Sequence, residues 1–245
     1  MGFTNSPMPW SELERTLSGR ARPGDHRGVP IDGGDSPAWS SHRSSYEPPP
    51  DLAEARARRL RGQAGGGRPA PYAELHCRSN FSFLEGASHP EELVEEAARL
   101  ELEALAITDR DGFYGVVRQS EAATVVGVPA VYGVDLGLDD QPVPLGEGGT
   151  GPGRVVVLAR GRQGYADLAR VVSRGQMAGE KGAPRLALAD LAAIGGRGTS
   201  GEGGWVVLTG GADGCVPATL VAEGPAAARR RLEQLASTFG PEQVR

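Results

Sequence analysis

The chain has 245 residues and a formal net charge of −5, enough for one or two domains with a sizeable core and too acidic to hold nucleic acid mainly through a strongly basic surface. With 37 Gly and 19 Pro against only 5% aromatic residues, part of the chain is expected not to fold compactly. Cys77 and Cys215 form no CxxC pair, the N-terminus lacks the basic and apolar regions of a signal peptide, and no apolar run is long enough for a membrane span. These features predict a soluble, cytoplasmic protein with no membrane partner.

Residues 1–70 are rich in Pro, Gly, Ser and Arg, with one short amphipathic stretch at Trp10, Leu13 and Leu17, and are expected to be a disordered arm. From residue 71 to 245 the texture changes to short apolar runs alternating with helical patterns, the signature of βα units around a parallel sheet or barrel. Tyr72–His76 reads as a strand, followed by a helix that Ser88 and Glu91 would open as a capping box, with Leu93, Ala97 and Leu100 on its buried face. Ala104–Ile107 is a strand-length apolar run, residues 114–126 a helix, and Ala130–Tyr132 a strand. Arg154–Ala159, Tyr165–Gln176, Trp205–Thr209 and Pro225–Phe239 follow as strand, helix, strand and helix. Since no further strand is evident after the last helix, the architecture is expected to be incomplete at the C-terminus.

Two Gly-rich stretches, Pro142–Gly153 and Gly195–Gly204, are expected to be surface loops. Each contains a literal GxGxxG, at Gly146, Gly148 and Gly151 and at Gly196, Gly198 and Gly201. Both precede a strand, whereas a dinucleotide fingerprint must follow a strand and open a helix so that free N–H groups meet the pyrophosphate. Neither predicts a cofactor site. Cys77 alternates with His76 and should point away from it into packing.

The more informative residues stand at the carboxyl ends of the first three strands: His76-Cys77-Arg78, Thr108-Asp109-Arg110 and Gly133-Val134-Asp135. In βα barrels that rim carries the chemistry, because strand ends converge there. Taken singly, each tripeptide is better read as ordinary loop polarity, with Asp as a helix cap. Taken together, His76–Ser88 and Ala106–Gly115 resemble the opening motifs of the polymerase-and-histidinol-phosphatase, or PHP, domain. They are most similar to the version at the N-terminus of bacterial C-family DNA polymerase alpha subunits. Pro129–Leu136, Val156–Asp167, Glu180–Arg185 and Val207–Gly210 extend the likeness, and Trp10–Glu14 ahead of the arm resembles the error-prone, damage-inducible branch.

The resemblance implies an α/β fold, a distorted (β/α) barrel of PHP type, incomplete at the C-terminus and preceded by a disordered arm. In active PHP domains the first motif is His-x-His and both imidazoles ligate metal; here His76 remains and Arg78 takes the second place. Glu85 corresponds to the family Asp, Arg110 to the His of Thr-Asp-His, Asp135 to the Glu of Gly-x-Glu, and Gln176 to a later His. His76, Glu85, Asp109 and Asp135 are thus the expected remnants of a metal site, with no catalytic residue among them. Guanidinium has no lone pair to donate and stays charged. Arg78 and Arg110 are therefore expected to replace the metal charge by pairing with Glu85, Asp109 or Asp135, or else to turn out to solvent.

For the whole protein the resemblance implies an error-prone DNA-directed DNA polymerase, a nucleotidyltransferase acting in translesion synthesis, DNA repair and damage-induced mutagenesis. Its Mg²⁺, DNA and dNTPs would engage palm carboxylates that lie beyond this chain, and its partners would include other mutagenesis proteins and the sliding clamp. The fragment itself is expected to bind no cofactor and to be inactive. The alternative is a stand-alone metal-dependent PHP phosphoesterase.

Overall fold

A computed structural model describes residues 46–60, 71–145, 149–195 and 204–245, and every element below lies in the unit Pro48–Arg245. In chain order these are α1 (Pro50–Leu60), β1 (Ala73–Cys77), α2 (Pro90–Arg99), β2 (Ala104–Ile107), α3 (Val116–Val126), β3 (Ala130–Leu145), β4 (Gly149–Ala159), α4 (Gly161–Ala178), α5 (Leu188–Gly195), β5 (Trp205–Leu208), α6 (Cys215–Glu223) and α7 (Pro225–Phe239). The expected α/β architecture is present: among the described residues one five-stranded sheet in the order β1-β2-β3-β4-β5, with helices on every connection but β3 to β4.

The sheet is mixed rather than parallel. β1, β2 and β3 run parallel, with Ala73 beside Ala104 and Ile107 beside Tyr132. β4 is antiparallel to both β3 and β5. The reason lies in the stretch expected to be the first Gly-rich loop. Most of it is a hairpin, with Pro142 opposite Pro152, Val143 opposite Gly151 and Leu145 opposite Gly149. Two strands joined by so few residues must be antiparallel, whereas a parallel neighbour needs a crossover of about a dozen or more. Gly153 fits this hairpin because a Cβ there would come within 2.2 Å of the Gln141 carbonyl oxygen.

Val155–Leu158 of β4 are all buried, as a strand covered on both faces requires. One face packs Val155 and Val157 with Leu168 and Val171 of α4, Leu235 and Phe239 of α7, and Trp205. The other packs Val156 and Leu158 with Ala106.

Several local expectations shift. Pro50–Leu60 is a helix carrying a buried Leu52 inside the stretch read as arm; residues 1–45 and 61–70 of the arm, including Trp10, Leu13 and Leu17, lie outside the described residues, as do Gly146, Gly148, Gly196, Gly198 and Gly201. The N-cap of α2 is His89 rather than Ser88, and its N–H donates to Glu92 at 2.8 Å. Glu91, one residue earlier on the helix, instead pairs with Arg118 of α3 at 2.5 Å. Val94 takes the buried place expected of Leu100, which is 59% exposed, because α2 begins later and ends before it. Helices α5 and α6 were not anticipated; their short runs of Ala, Leu and Val carry no clear period. After α7 the chain returns to the sheet: Val244 bridges Val207 in parallel, and Val207 N and Arg245 N donate to Gln243 O and Val207 O. This single bridge adds no further strand, and the five-stranded sheet is that of an incomplete barrel, as expected.

Leu168, wholly buried against β4, and Leu232, 41% exposed on α7, should separate sharply. Leu168→Ala is expected to cost about 3 kcal/mol and Leu232→Ala less than about 1 kcal/mol in denaturant unfolding; equal losses would contradict the core described.

Candidate functional site

The strand ends converge as the pairing dictates. Arg78 follows β1, Arg110 and Asp111 follow β2, Asp135 lies in β3, Arg154 in β4, and Asp213 in the turn between β5 and α6. Backbone contacts fix the middle of this set: Arg110 bridges Asp135, Asp135 N donates to Asp109 O at 3.2 Å, and Asp111 N donates to Asp135 O at 2.9 Å. Glu85 is brought in by the loop after β1, which closes at Gly86, where a Cβ would come within 2.0 Å of the Ser79 carbonyl oxygen.

The side chains form one chain of ion pairs. Arg110 Nε lies 2.5 Å from Glu85 Oε2 and its Nη2 2.7 Å from Asp213 Oδ2. Arg78 shares both oxygens, with Nη1 3.0 Å from Glu85 Oε2 and Nη2 3.5 Å from Asp213 Oδ2. Arg78 Nη2 also donates to Asp135 Oδ2 at 2.5 Å. The other oxygen of Asp135 accepts from Arg154 Nε at 2.9 Å, and Arg154 Nη2 reaches Asp111 Oδ1 at 3.2 Å and the Asp135 carbonyl at 2.6 Å. Asp135 is fully buried and Arg154 only 5% exposed, so the arginines offset a carboxylate that would be costly to bury alone. Burial alone would pull Arg78 down, but its hydrogen bond to Asp135 and the charges of Asp135, Asp213 and Glu85 hold it above the usual arginine value.

Of the residues expected here, Arg78, Arg110, Glu85 and Asp135 meet as ion pairs. Asp109 does not join them. Its carboxylate accepts from Ser79 N and Oγ and Ser82 Oγ at 2.9 Å and from Gly115 N at 3.1 Å. It is thus committed to tying the β1 loop to the start of α3, and the expectation that it pairs with Arg78 or Arg110 is corrected. His76 adjoins the cluster, with Nδ1 2.8 Å from Thr108 Oγ1. Because that hydroxyl donates to Cys77 O at 3.3 Å, the assignment that satisfies both has Nδ1 protonated and donating to Thr108 Oγ1. Burial lowers the His76 pKa, aided by Arg78 and opposed by Asp135 and Asp213. Gln176 reaches the same rim, its Nε2 donating to Asp111 O at 2.8 Å. Cys77 and Cys215 are both pushed up to about 11 by burial and are poor nucleophiles at neutral pH.

Asp111, Arg154 and Asp213 were missed. Asp111 lies inside a quoted motif, but Arg154 and Asp213 are brought in by the hairpin and the turn after β5, which sequence spacing does not reveal. A separate groove of about 640 Å³, lined by Val116, Ser120, Tyr132, Ala159 and Tyr165 among others, includes none of the ion-pair residues.

The donor set does not fit a metal centre. The carboxylate oxygens face guanidinium groups, and among the described residues no cluster of three or more His, Cys, Asp or Glu side chains is arranged to hold an ion. What the arrangement can do is join four strands and two loops through charge-assisted hydrogen bonds.

This α/β unit with its ion-paired rim belongs to the PHP domain family, whose model matches residues 74–244. Proteins named error-prone DNA polymerase align with it end to end: one from Mycobacterium bovis is 44% identical over 253 residues, covering 100% of this chain and 20% of that protein. Another, from Nocardia farcinica, is 38% identical over 287 residues, covering 100% of this chain and 24% of that protein. The chain therefore spans about a fifth to a quarter of the length of these relatives. A solved amidohydrolase structure from Chromobacterium violaceum matches at 20% identity over 66% of this chain and 54% of its own, with a TM-score of 0.28, too low to argue from.

Metal analysis of the purified chain is expected to find only substoichiometric zinc and manganese; a tightly bound equivalent of either would contradict the reading of the donor set. His76 gives a second test. Its folded pKa lies below the ordinary 6.5, so between the two values the unfolded chain binds more protons and stability must fall as pH drops through that window. Urea unfolding across pH 5–7 should show this slope reduced in His76→Gln; an unchanged slope would sink the assignment.

Proposed function

We propose that this chain is the N-terminal region of an error-prone DNA-directed DNA polymerase that acts in translesion synthesis and damage-induced mutagenesis, and that its PHP unit supports the polymerase body without being catalytic. The observation that carries this reading is full-length similarity to proteins named error-prone DNA polymerase, each several times longer than the chain. Phosphoryl transfer by such an enzyme uses two Mg²⁺ ions that stabilise the attacking and leaving oxygens. Under this reading the carboxylates that hold those ions, and the contacts to DNA, dNTPs, the sliding clamp and other mutagenesis proteins, belong to regions outside residues 1–245. No Mg²⁺ is assigned to the fragment, and the protein is placed in the cytoplasm.

His76, Glu85, Asp109 and Asp135 are read as what remains of an ancestral metal site, with Arg78, Arg110 and Gln176 in former His positions. Hydrolysis at a PHP centre needs a metal-activated water. Here the oxygen donors are engaged by permanently protonated guanidinium groups, or by Ser79, Ser82 and Gly115 in the case of Asp109, which supports a structural role over a phosphoesterase.

The longer protein encoded with this region is expected to extend a primer opposite a template lesion, and the 245-residue chain alone to hydrolyse no phosphomonoester or phosphodiester with Mn²⁺ present. Mn²⁺-dependent turnover by the isolated chain that is lost in Asp135→Asn would favour the stand-alone phosphoesterase instead. Absence of primer extension by the longer protein would overturn the polymerase assignment.

A further inference from the structure

Each carboxylate at the centre of the cluster is shared between two guanidinium groups, and Arg78 is common to all three. Glu85 Oε2 and Asp213 Oδ2 each lie between Arg78 and Arg110. Asp135 is held by Arg78 on one oxygen and Arg154 on the other. The three acids come from a loop, a turn and a strand that are far apart in sequence, so their convergence creates a site that favours a cation at the Arg78 guanidinium position. Arg78 Nε has no hydrogen-bond partner. The hold on the carboxylates therefore runs through the two terminal nitrogens, which a free guanidinium ion also possesses. With 22% of the Arg78 side chain exposed, the position is reachable from solvent.

We propose that Arg78 occupies a carboxylate-lined binding position for a small planar monocation, acting as a tethered occupant, and that the position binds free guanidinium ion once the side chain is truncated. The proposal rests on the non-catalytic reading of the PHP unit and deepens it. The unit has a cation requirement, and it is met by a covalently attached group with directional N–H donors. Direction matters because the two terminal nitrogens reach different carboxylates, Nη1 to Glu85 and Nη2 to Asp135 and Asp213, along fixed in-plane N–H directions that a spherical ion lacks. Arg154 is the less informative partner, since it lies deeper and contacts only one of the three shared acids.

The test is the thermal unfolding midpoint of the 245-residue chain carrying Arg78→Ala, measured in guanidinium chloride at tens of millimolar, in matched sodium chloride, and in MnCl₂. Loss of the half-buried pairs is expected to lower Tm by about 5 °C, and guanidinium should restore most of that loss where sodium does not. Arg170→Ala, which removes an exposed arginine on α4, should neither lose as much nor respond. A midpoint for Arg78→Ala equal to the parent's, or equal recovery in sodium chloride, overturns the proposal; recovery with Mn²⁺ alone overturns the planar-ion assignment. If Arg78→Ala yields no folded protein, it is refolded with each salt present and the folded yield read by circular dichroism. Recovery only with guanidinium sustains the proposal and recovery with none overturns it. Since the readout requires no polymerase, failure here leaves primer extension by the longer protein unaffected, and failed primer extension leaves this result standing.

Discussion

The carboxylate of Asp135, fully buried between Arg78 and Arg154, sets the terms for the rest of the unit. A lone buried carboxylate is costly enough that it would take up a proton or disrupt the fold. With a guanidinium on each oxygen it is paired on both sides and becomes the junction of the β1 end, β3 and β4. Both oxygens are satisfied by side chains from different strands, so neither pairing can form until the sheet has its native order. The interaction thus specifies topology as much as it contributes energy, and buried ion pairs are better credited with the former.

That junction depends on the β3–β4 hairpin. A wholly parallel arrangement would place the end of β4 where its beginning now lies, and Arg154 would point to the opposite rim. Because β4 runs antiparallel, its first buried side chain is that of Arg154, paired with Asp135, and the apolar run Val155–Leu158 then continues through the core. The same reversal brings the turn after β5 to this rim. Arg154 N donates to Asp213 O at 3.2 Å, which carries the Asp213 side chain toward Arg78 and Arg110.

The α/β class, the strand Ala104–Ile107 and the helix Pro225–Phe239 were legible because each has a run or period that local physics decides. The hairpin was not: Gly146–Gly151 reads as loop composition, and a strand whose glycines allow close pairing looks the same in one dimension as a strand's absence. At the site, Arg78, Glu85, Arg110 and Asp135 could be named from their motifs, but the partner of each acid could not. Asp109 shows why. Its position beside Arg110 suggested an ion pair, yet successive residues of an extended segment point to opposite sides, and Ser79, Ser82 and Gly115 supply enough donors to consume it. Arg154 gave no warning, because an arginine opening an apolar run is read as a flank rather than a buried residue.

On the proposed reading that guanidinium groups stand where imidazoles would coordinate, more changes than ligand identity. A metal ion supplies strong, nearly isotropic attraction but depends on supply and on deprotonated ligands. Guanidinium supplies weaker attraction in fixed directions and remains charged throughout the physiological pH range. Directional donors suit carboxylates already held by backbone, and that is the case here: Asp135 is pinned by its pairing with Asp109 and Asp111, and Glu85 by the turn Ser82–Gly86. Where the acids are preorganised, a tethered cation has little further entropy to lose on pairing. On the proposed non-catalytic reading, the unit keeps the charge pattern of a metal site while giving up the one property a guanidinium lacks, the ability to bind and activate water.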